Sequence, residues 1–398
     1  MQILNYSCNM HSYLPRNVEN SILNRLKSNP AVALLGARQV GKSTLAKKII
    51  QHFPHSIYLD LEKRSDLAKL TDPELFFQQF KGRLICLDEI QRLPEIFSTL
   101  RSVIDESGKN AQFLLLGSAS RDLIQQSSES LAGRLSYIEV TPFQFDEISH
   151  TEANQQPISQ HWSIGGYPRS YLSSSFESSF QWREDYIRTY LERDIPQLGF
   201  NIPANTLGRF WRMLAHHHGQ TINTTKLAES MGVSTHKIRK YIDLLEQTFI
   251  TRNLLAYSGN LKKRLVKSPK VYIRDSGLLH CLLDIENIQG LLAHPIYGAS
   301  FEGYVIENIL SKLNRWKASF FRSASGAEID LVLEKGMKKI CIEIKASSSP
   351  KPTRGFWTAI EDIKPDISYI VAPVKNQYPI KTNVWVIPMF ELIQKLND

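Results

Sequence analysis

"LLGARQVGKSTLAKK", Leu34 to Lys48, is the stretch from which the rest of the chain is read. Within it, Gly36-Ala37-Arg38-Gln39-Val40-Gly41-Lys42-Ser43 fits G-x-x-x-x-G-K-[ST] at every fixed position. The apolar run AVALLG comes before it, and a helical pattern from Thr44 to Gln51 follows. Strand, loop and helix are the context this motif needs. The glycines let backbone N–H groups point inward at phosphates, and the helix N-terminus adds partial positive charge. The expected nucleotide contacts are Gly36, Arg38, Gln39, Val40, Gly41, Lys42, Ser43 and Thr44. Lys42 would reach the β- and γ-phosphates of ATP, and the Ser43 hydroxyl would hold Mg²⁺. Arg38, inside the loop, is a further phosphate candidate.

Working outward, "RLICLDEIQRLP" reads as a buried strand ending in Asp88-Glu89. After a phosphate-binding loop, a carboxylate at Asp88 organises the Mg²⁺ shell, and Glu89 is placed to polarise an attacking water. "FLLLGSAS" is another apolar strand, ending at Ser118. That hydroxyl either orients the water or sense the γ-phosphate, or is a turn residue. In "SESLAGR", Arg134 is either an arginine finger, in cis or toward a neighbouring subunit, or a surface arginine.

These pieces, with "YLDLEKRSDLAKL", "LRSVIDE" and "VTPFQF", resemble a family of prokaryotic AAA-type ATPases that carry a C-terminal domain of unknown function. "GGYP" at Gly165–Pro168, "YLERDI" at Tyr190–Ile195, "SPKVYIRDSGL" at Ser268–Leu278 and "GASFEGYVIENI" from Gly298 are similar to it as well, in the same order. The resemblance covers nearly the whole chain and implies architecture more than purpose. It also implies oligomers, because in such ATPases an arginine of one subunit commonly completes the next site.

Composition sets the outer bounds. A chain of 398 residues is expected to hold two or three domains, and 42% hydrophobic with 22% charged residues is ordinary for a soluble protein. There is no apolar run of about 18 residues, so no membrane span is expected. The first residues lack a secretory h-region, so the expected location is the cytoplasm. Cys8, Cys86, Cys281 and Cys341 lie far apart and at no metal-ligand spacing, which suits free thiols in a reducing compartment. A net charge of +9 permits a nucleic-acid partner.

The expected fold class is α/β. Residues 31–150 alternate short apolar strands with helical patterns, which argues a parallel sheet covered by helices. The expected units are a P-loop AAA-type ATPase domain over 1–150, a helical lid or linker over 151–204, a winged-helix domain over 205–290, and a restriction-endonuclease-like α/β domain over 291–398.

In the third unit, "TTKLAESMGVSTHKIRKYIDLLEQTFI" reads as helix, turn, helix, with Thr224 or Thr225 as cap and Gly232 as the turn. Ile238, Tyr241, Ile242 and Leu245 form a buried face, opposite His236, Lys237, Arg239 and Lys240. That basic face suits DNA phosphates and base edges, or is a solvated side of a packing module. From Thr251 to Lys270 there are six Lys or Arg and no acid, and "GNLKKR" reads as a wing tip. The run His216-His217-His218 cannot converge on one ion, because consecutive helix residues diverge.

"GAEIDLVLEKGMKKICIEIKAS" is the other chemical stretch. A period of two puts Glu343 and Lys345 on one face of a strand, with Ile342 and Ile344 on the other, and a hairpin brings Asp330 beside them. Two carboxylates for Mg²⁺ and a lysine to orient water are the parts of metal-dependent phosphodiester hydrolysis. The pattern resembles the PD-(D/E)xK nuclease fold, matching Asp330, Glu343 and Lys345, with Glu302 or Glu307 as an added acid; the usual proline before the aspartate is absent. The leading expectation is an ATP-hydrolysing protein that engages DNA, branched DNA included, with nucleotide-gated cleavage. The alternatives are an ATP-dependent switch or a branched-DNA motor whose C-terminal domain binds without cutting.

Overall fold

The computed structural model describes residues 13–117, 131–148, 157–259, 265–313 and 315–397. Five strands, β1 (Ala31–Leu35), β2 (Ile57–Asp60), β3 (Ile85–Asp88), β4 (Phe113–Leu116) and β5 (Leu135–Glu139), form a parallel sheet in the order β2-β3-β4-β1-β5. Both faces of β1 are buried, and its alternation is visible in the packing. Val32 and Leu34 join one apolar cluster, while Ala31, Ala33 and Leu35 join the cluster on the opposite face. The helix Lys42–Ile50 leaves the C-terminal end of β1, and β4 lies between β1 and β3. The ends of β1 and β3, where the loop and Asp88 sit, therefore face one crevice.

The middle of the chain is mostly helical. The helix Phe176–Thr189 runs into a π-helical turn, Tyr190–Asp194. Buried Arg183 donates to the carbonyl of Gly277 at 2.9 Å, in the helix Ser276–Leu282. The segment before residue 204 thus shares its core with the segment after it. The helices Thr224–Met231 and Thr235–Gln247 form the expected helix-turn-helix pair, with Gly232 at φ +66° between them. Asn223, not Thr224 or Thr225, caps the first. It stands in extended backbone one residue earlier, and its Oδ1 accepts from the Lys226 N–H at 3.1 Å, while both threonines are already inside the helix. A small antiparallel sheet follows: β6 (Gln220–Thr221), β7 (Thr251–Leu254) and β8 (Lys270–Ile273), in the order β6-β8-β7. Of the expected wing tip, GNLKKR at 259–264, all but Gly259 lies outside the described residues.

The helix Tyr297–Leu310 opens the C-terminal unit. Its sheet holds β9 (Lys317–Arg322), β10 (Glu328–Lys335), β11 (Lys338–Ile344), β12 (Ile367–Val371), β13 (Tyr378–Lys381) and β14 (Val384–Ile387), in the order β13-β14-β12-β11-β10-β9. β9, β10 and β11 form an antiparallel meander; β11, β12 and β14 are parallel, with the helix Arg354–Ile363 crossing between the first two. One apolar cluster runs from β1 through the middle helices to β11, so the units are joined by a continuous core.

Three buried histidines sit in that core. His161 Nε2 donates to the Phe143 carbonyl at 2.9 Å and Nδ1 accepts from Tyr304 at 2.8 Å; His280 Nδ1 donates to the Ser163 carbonyl at 2.9 Å and Nε2 accepts from Ser300 at 2.7 Å. His218 Nδ1 accepts from the Ile273 N–H at 3.0 Å. Burial pushes His161 and His280 down to about 4 and His218 to about 3. Each is neutral when folded, while in the unfolded chain each binds a proton below about pH 6.5. Their contribution is fully present above pH 6.5 and is lost as pH falls toward 4, by up to about 1.4 kcal/mol per pH unit for each residue. Urea midpoints measured at pH 7.5 and pH 5 should show a marked drop at pH 5, reduced in His280→Gln; equal midpoints would contradict the buried neutral assignment.

Candidate functional site

The loop Gly36–Ser43 is held open by its own backbone. Gly36 has φ +155°, and a Cβ there would stand 2.2 Å from the Val140 carbonyl oxygen. Gly41 has φ +93° and Gln39 φ +61°, so two left-handed residues turn the chain between β1 and the helix that follows. Val40 buries its side chain, and its carbonyl accepts from Arg16 Nη1 at 3.0 Å. Arg16 also donates to the Thr141 carbonyl at 2.6 Å and pairs with Glu147 at 3.2 Å, tying the loop to the segment after β5. Thr44 is exposed on the first turn of the helix.

Lys42 is 7% exposed, and its ammonium donates to the carbonyls of Gly36 at 3.0 Å and Ala37 at 2.8 Å. Burial lowers it to about 8, against the opposing pull of Glu89 and Asp88. Phosphate oxygens carry full charge and displace such carbonyl partners. Across the crevice, buried Asp88 accepts from the Tyr58 hydroxyl, and Ser43 stands near that hydroxyl. Ser43 and Asp88 thus flank one hydroxyl, and a hydroxyl with a carboxylate is a hard-oxygen donor set that fits Mg²⁺. Glu89 follows at φ +57°, an uncommon conformation for a glutamate; its N–H donates to Asp88 Oδ1 at 3.0 Å, and its carboxylate accepts from Gln91.

The remaining expected members of this site are placed differently. Arg38 turns away from the loop onto Asp194 in the π-helical turn and reaches Gln197 Oε1 at 3.2 Å. Arg134 precedes β5, which pairs in parallel with β1 from Ala31↔Leu135. It therefore stands at the end of the sheet opposite the loop, paired with Asp105 at 2.5 Å, and is not brought to this chain's own crevice. Ser118 lies outside the described residues.

The second cluster is in the C-terminal unit. The Ile344 N–H donates to Asp330 Oδ2 at 2.9 Å, which fixes that carboxylate between β10 and β11. Lys345 donates to Glu343 Oε1 at 2.6 Å, while Glu343 Oε2 is buried without a partner. Burial, and then the Asp330 charge, raise Glu343 to about 8. Asp330, Glu343 and Lys345 are thus brought together as the spacing implied. Of the two candidate acids on the helix Tyr297–Leu310, Glu302 joins them. Glu307 instead binds Arg252 and, at 3.0 Å, Arg274; burial alone would raise it, but the two guanidiniums hold it down to about 2. Among the described residues, no three acidic, histidine or cysteine side chains converge as an ion-binding group. Lys270 stands among these carboxylates instead, 3.0 Å from Glu302, 2.8 Å from Glu328 and 3.5 Å from Asp330.

Sequence reasoning missed three residues: Arg16, Tyr58 and Lys270. Only Lys270 left a usable signal, as a lysine opening the fully buried strand KVYI, where its charge demands an acidic partner.

Three family models match successive parts of the chain: an AAA domain over residues 28–149, a domain of unknown function (DUF8612) over 155–289, and a domain of unknown function (DUF4143) over 297–392. An uncharacterized protein of Mycobacterium tuberculosis is 38% identical over 364 residues, 92% of this chain and 81% of the relative. An uncharacterized protein of Haemophilus influenzae is 24% identical over 283 residues, 61% of this chain and 66% of that protein. Among solved structures, the Walker-type ATPase of Pyrococcus abyssi superposes with a TM-score of 0.50 at 14% identity, over 69% of this chain and 97% of the other, a likeness of fold. The chain belongs to the family of AAA-domain proteins that includes the mycobacterial relative, and its N-terminal unit is a P-loop ATPase domain.

Two substitutions separate the roles in the crevice. Lys42→Ala should weaken ATP binding by roughly a hundredfold or more, the loss of a charge-assisted contact in a buried site. Glu89→Gln should keep ATP binding within a few-fold while turnover falls by about 10²–10⁴. Isothermal titration with ATP alongside phosphate release distinguishes them, and full turnover in Glu89→Gln would remove that residue from the water-activating role.

Proposed function

We propose that this ATPase engages DNA through its middle unit, and that its nucleotide state governs a metal-dependent phosphodiesterase site in the C-terminal unit. In the crevice, Lys42 and the N–H groups of the loop bind the phosphates, Ser43 and Asp88 hold the metal, and Glu89 takes a proton from the attacking water. Bound Mg²⁺ would supply charge neutralisation between the phosphates.

The observation that carries the C-terminal reading is the hairpin of β10 and β11, which sets Asp330 beside the Glu343–Lys345 pair. The buried and unpartnered Glu343 Oε2 fits a metal ligand, since a buried carboxylate oxygen is otherwise costly. Asp330 and Glu343 would hold Mg²⁺ there, and Lys345 would orient water and stabilise developing charge. The order of the sheet, a meander followed by a parallel crossover, supports a restriction-endonuclease-like fold.

DNA engagement is supported by the helix-turn-helix pair. His236, Lys237, Arg239 and Lys240 are all exposed on the second helix, opposite its buried face, and the three cations are in no ion pair among the described residues. The small antiparallel sheet beside it supports a winged-helix reading. Arg134, at the far end of the ATPase sheet, supports assembly into oligomers in which it serves a neighbouring chain's nucleotide. No described helix is long and apolar enough to cross a membrane. Three buried free cysteines, Cys86, Cys281 and Cys341, suit a cytoplasmic setting.

A second reading has its own observation. Lys270 occupies the space among Glu302, Glu328 and Asp330, which favours a C-terminal unit that binds without cutting, leaving an ATP-driven switch or a motor on branched DNA.

The test is incubation of labelled linear and branched DNA with Mg²⁺ or Mn²⁺, with and without ATP. Cleavage that disappears in Asp330→Ala and depends on Lys42 is the expected result. Binding without cleavage, with ATP turnover intact, supports the second reading. Lys237→Ala with Arg239→Ala should weaken DNA binding on all sequences and lower the salt slope by about 2; unchanged binding would remove the recognition helix from the interface.

A further inference from the structure

Lys270 is 2% exposed, and it is the first residue of β8 in the middle unit, not part of the C-terminal sheet. Its ammonium is gripped by carboxylates of three separate positions: Glu302 on the helix Tyr297–Leu310, and Glu328 and Asp330 on β10. Tyr272, two residues along β8, donates to Glu302 as well. A charge buried this deeply is tolerated only with such partners. Asp330, one of the two carboxylates proposed above for the metal, is thus already engaged by Lys270, whereas the other, Glu343, 5% exposed and with Oε2 unpartnered, is held on its other oxygen by Lys345 alone.

We infer that Lys270 is an internal counter-cation of the C-terminal carboxylate cluster, which occupies the position of a divalent metal ion until the middle unit moves it out. This rests on the metal-site reading given above and adds its control. Lys270 and Lys345 together offset part of the charge of Glu302, Glu328, Asp330 and Glu343 in the arrangement seen; a dication and the Lys270 ammonium at contact distance would repel each other. Ion loading and Lys270 docking are therefore mutually exclusive. The strand carrying Lys270 ends next to Arg274, which is 3.0 Å from Glu307 and is also paired with Glu139 on β5 of the ATPase sheet. A shift of β8 that withdraws Lys270 is thereby tied to the sheet that carries the nucleotide loop.

The experiment is Mn²⁺ binding, followed by isothermal titration and by the spin signal of free Mn²⁺, for the full chain without nucleotide. Lys270→Met should bind Mn²⁺ roughly tenfold or more tightly than the unaltered protein, and the gain should vanish in Lys270→Met with Asp330→Asn. Equal affinity of Lys270→Met and the unaltered protein would overturn the inference, as would tight, Asp330-dependent binding in the unaltered protein. Because Lys270→Met leaves the carboxylates unbalanced and can fail to fold, a second measurement uses the unaltered chain. Amine acylation of Lys270, read by mass spectrometry, should rise several-fold on addition of Mn²⁺; no change overturns the inference. A gain of Mn²⁺ binding without DNA cleavage would leave Lys270's role standing and remove the cutting activity. Cleavage by a protein in which Lys270 labelling ignores Mn²⁺ would do the reverse.

Discussion

Strand β8 is bounded by two paired cations, buried Lys270 and part-buried Arg274, and together they link the three units. Lys270 opens the strand among Glu302, Glu328 and Asp330; Arg274 follows it, between Glu139 and Glu307. Breaking a buried ion pair by removing one partner costs about 3–5 kcal/mol, because it leaves a charge in an apolar setting. The middle and C-terminal units are held together by these charges as well as by the apolar core they share with the ATPase sheet.

The nucleotide loop is fastened to the same structure from its own side. Arg38 binds Asp194, which lies in a π-helical turn at the end of the helix Phe176–Thr189. π-turns interrupt a regular helix at a cost and recur at functional positions. From that helix Arg183 reaches the Gly277 carbonyl, and Asp275, next to Arg274, accepts from the Gly166 and Leu278 N–H groups at 2.8 and 2.9 Å. A movement of the loop on binding phosphate therefore has a contiguous set of hydrogen bonds and ion pairs leading to β8. The loop's own cation, Lys42, is held by the carbonyls of Gly36 and Ala37, partners that charged phosphate oxygens would replace.

Much of this was legible in the sequence, and the parts that were not share a cause. The loop could be read because its chemistry fixes residue types at fixed short spacing, from Gly36 to Ser43. The facing of Glu343 and Lys345 could be read because a strand alternates with period two, and the turn at Gly336 made Asp330 their neighbour. Lys270 could not be assigned a role, because its partners lie 32, 58 and 60 residues further along the chain and come from a helix and a strand of another unit. Arg134 reads as a finger in cis, a finger toward a neighbouring subunit or a surface arginine, because sequence order does not reveal strand direction; the parallel pairing of β5 with β1 puts it at the far end of the sheet from this chain's own loop. Arg38 was read as a phosphate contact because nothing local announces Asp194, more than 150 residues away, as its partner. Local periodicity was sufficient for elements and for paired residues within a hairpin. It was silent on ion pairs between units, which are set by tertiary packing.

Nucleotide bound in the loop should be felt at the C-terminal carboxylates through β8. Hydrogen–deuterium exchange of the full chain, with and without a non-hydrolysable ATP analogue and Mg²⁺, tests it most directly. Altered protection is expected in the β10–β11 hairpin, residues 328–345, and in β8, with both changes absent in Lys42→Ala. Protection changes confined to the loop and its neighbouring strands, with the hairpin and β8 untouched, would contradict it.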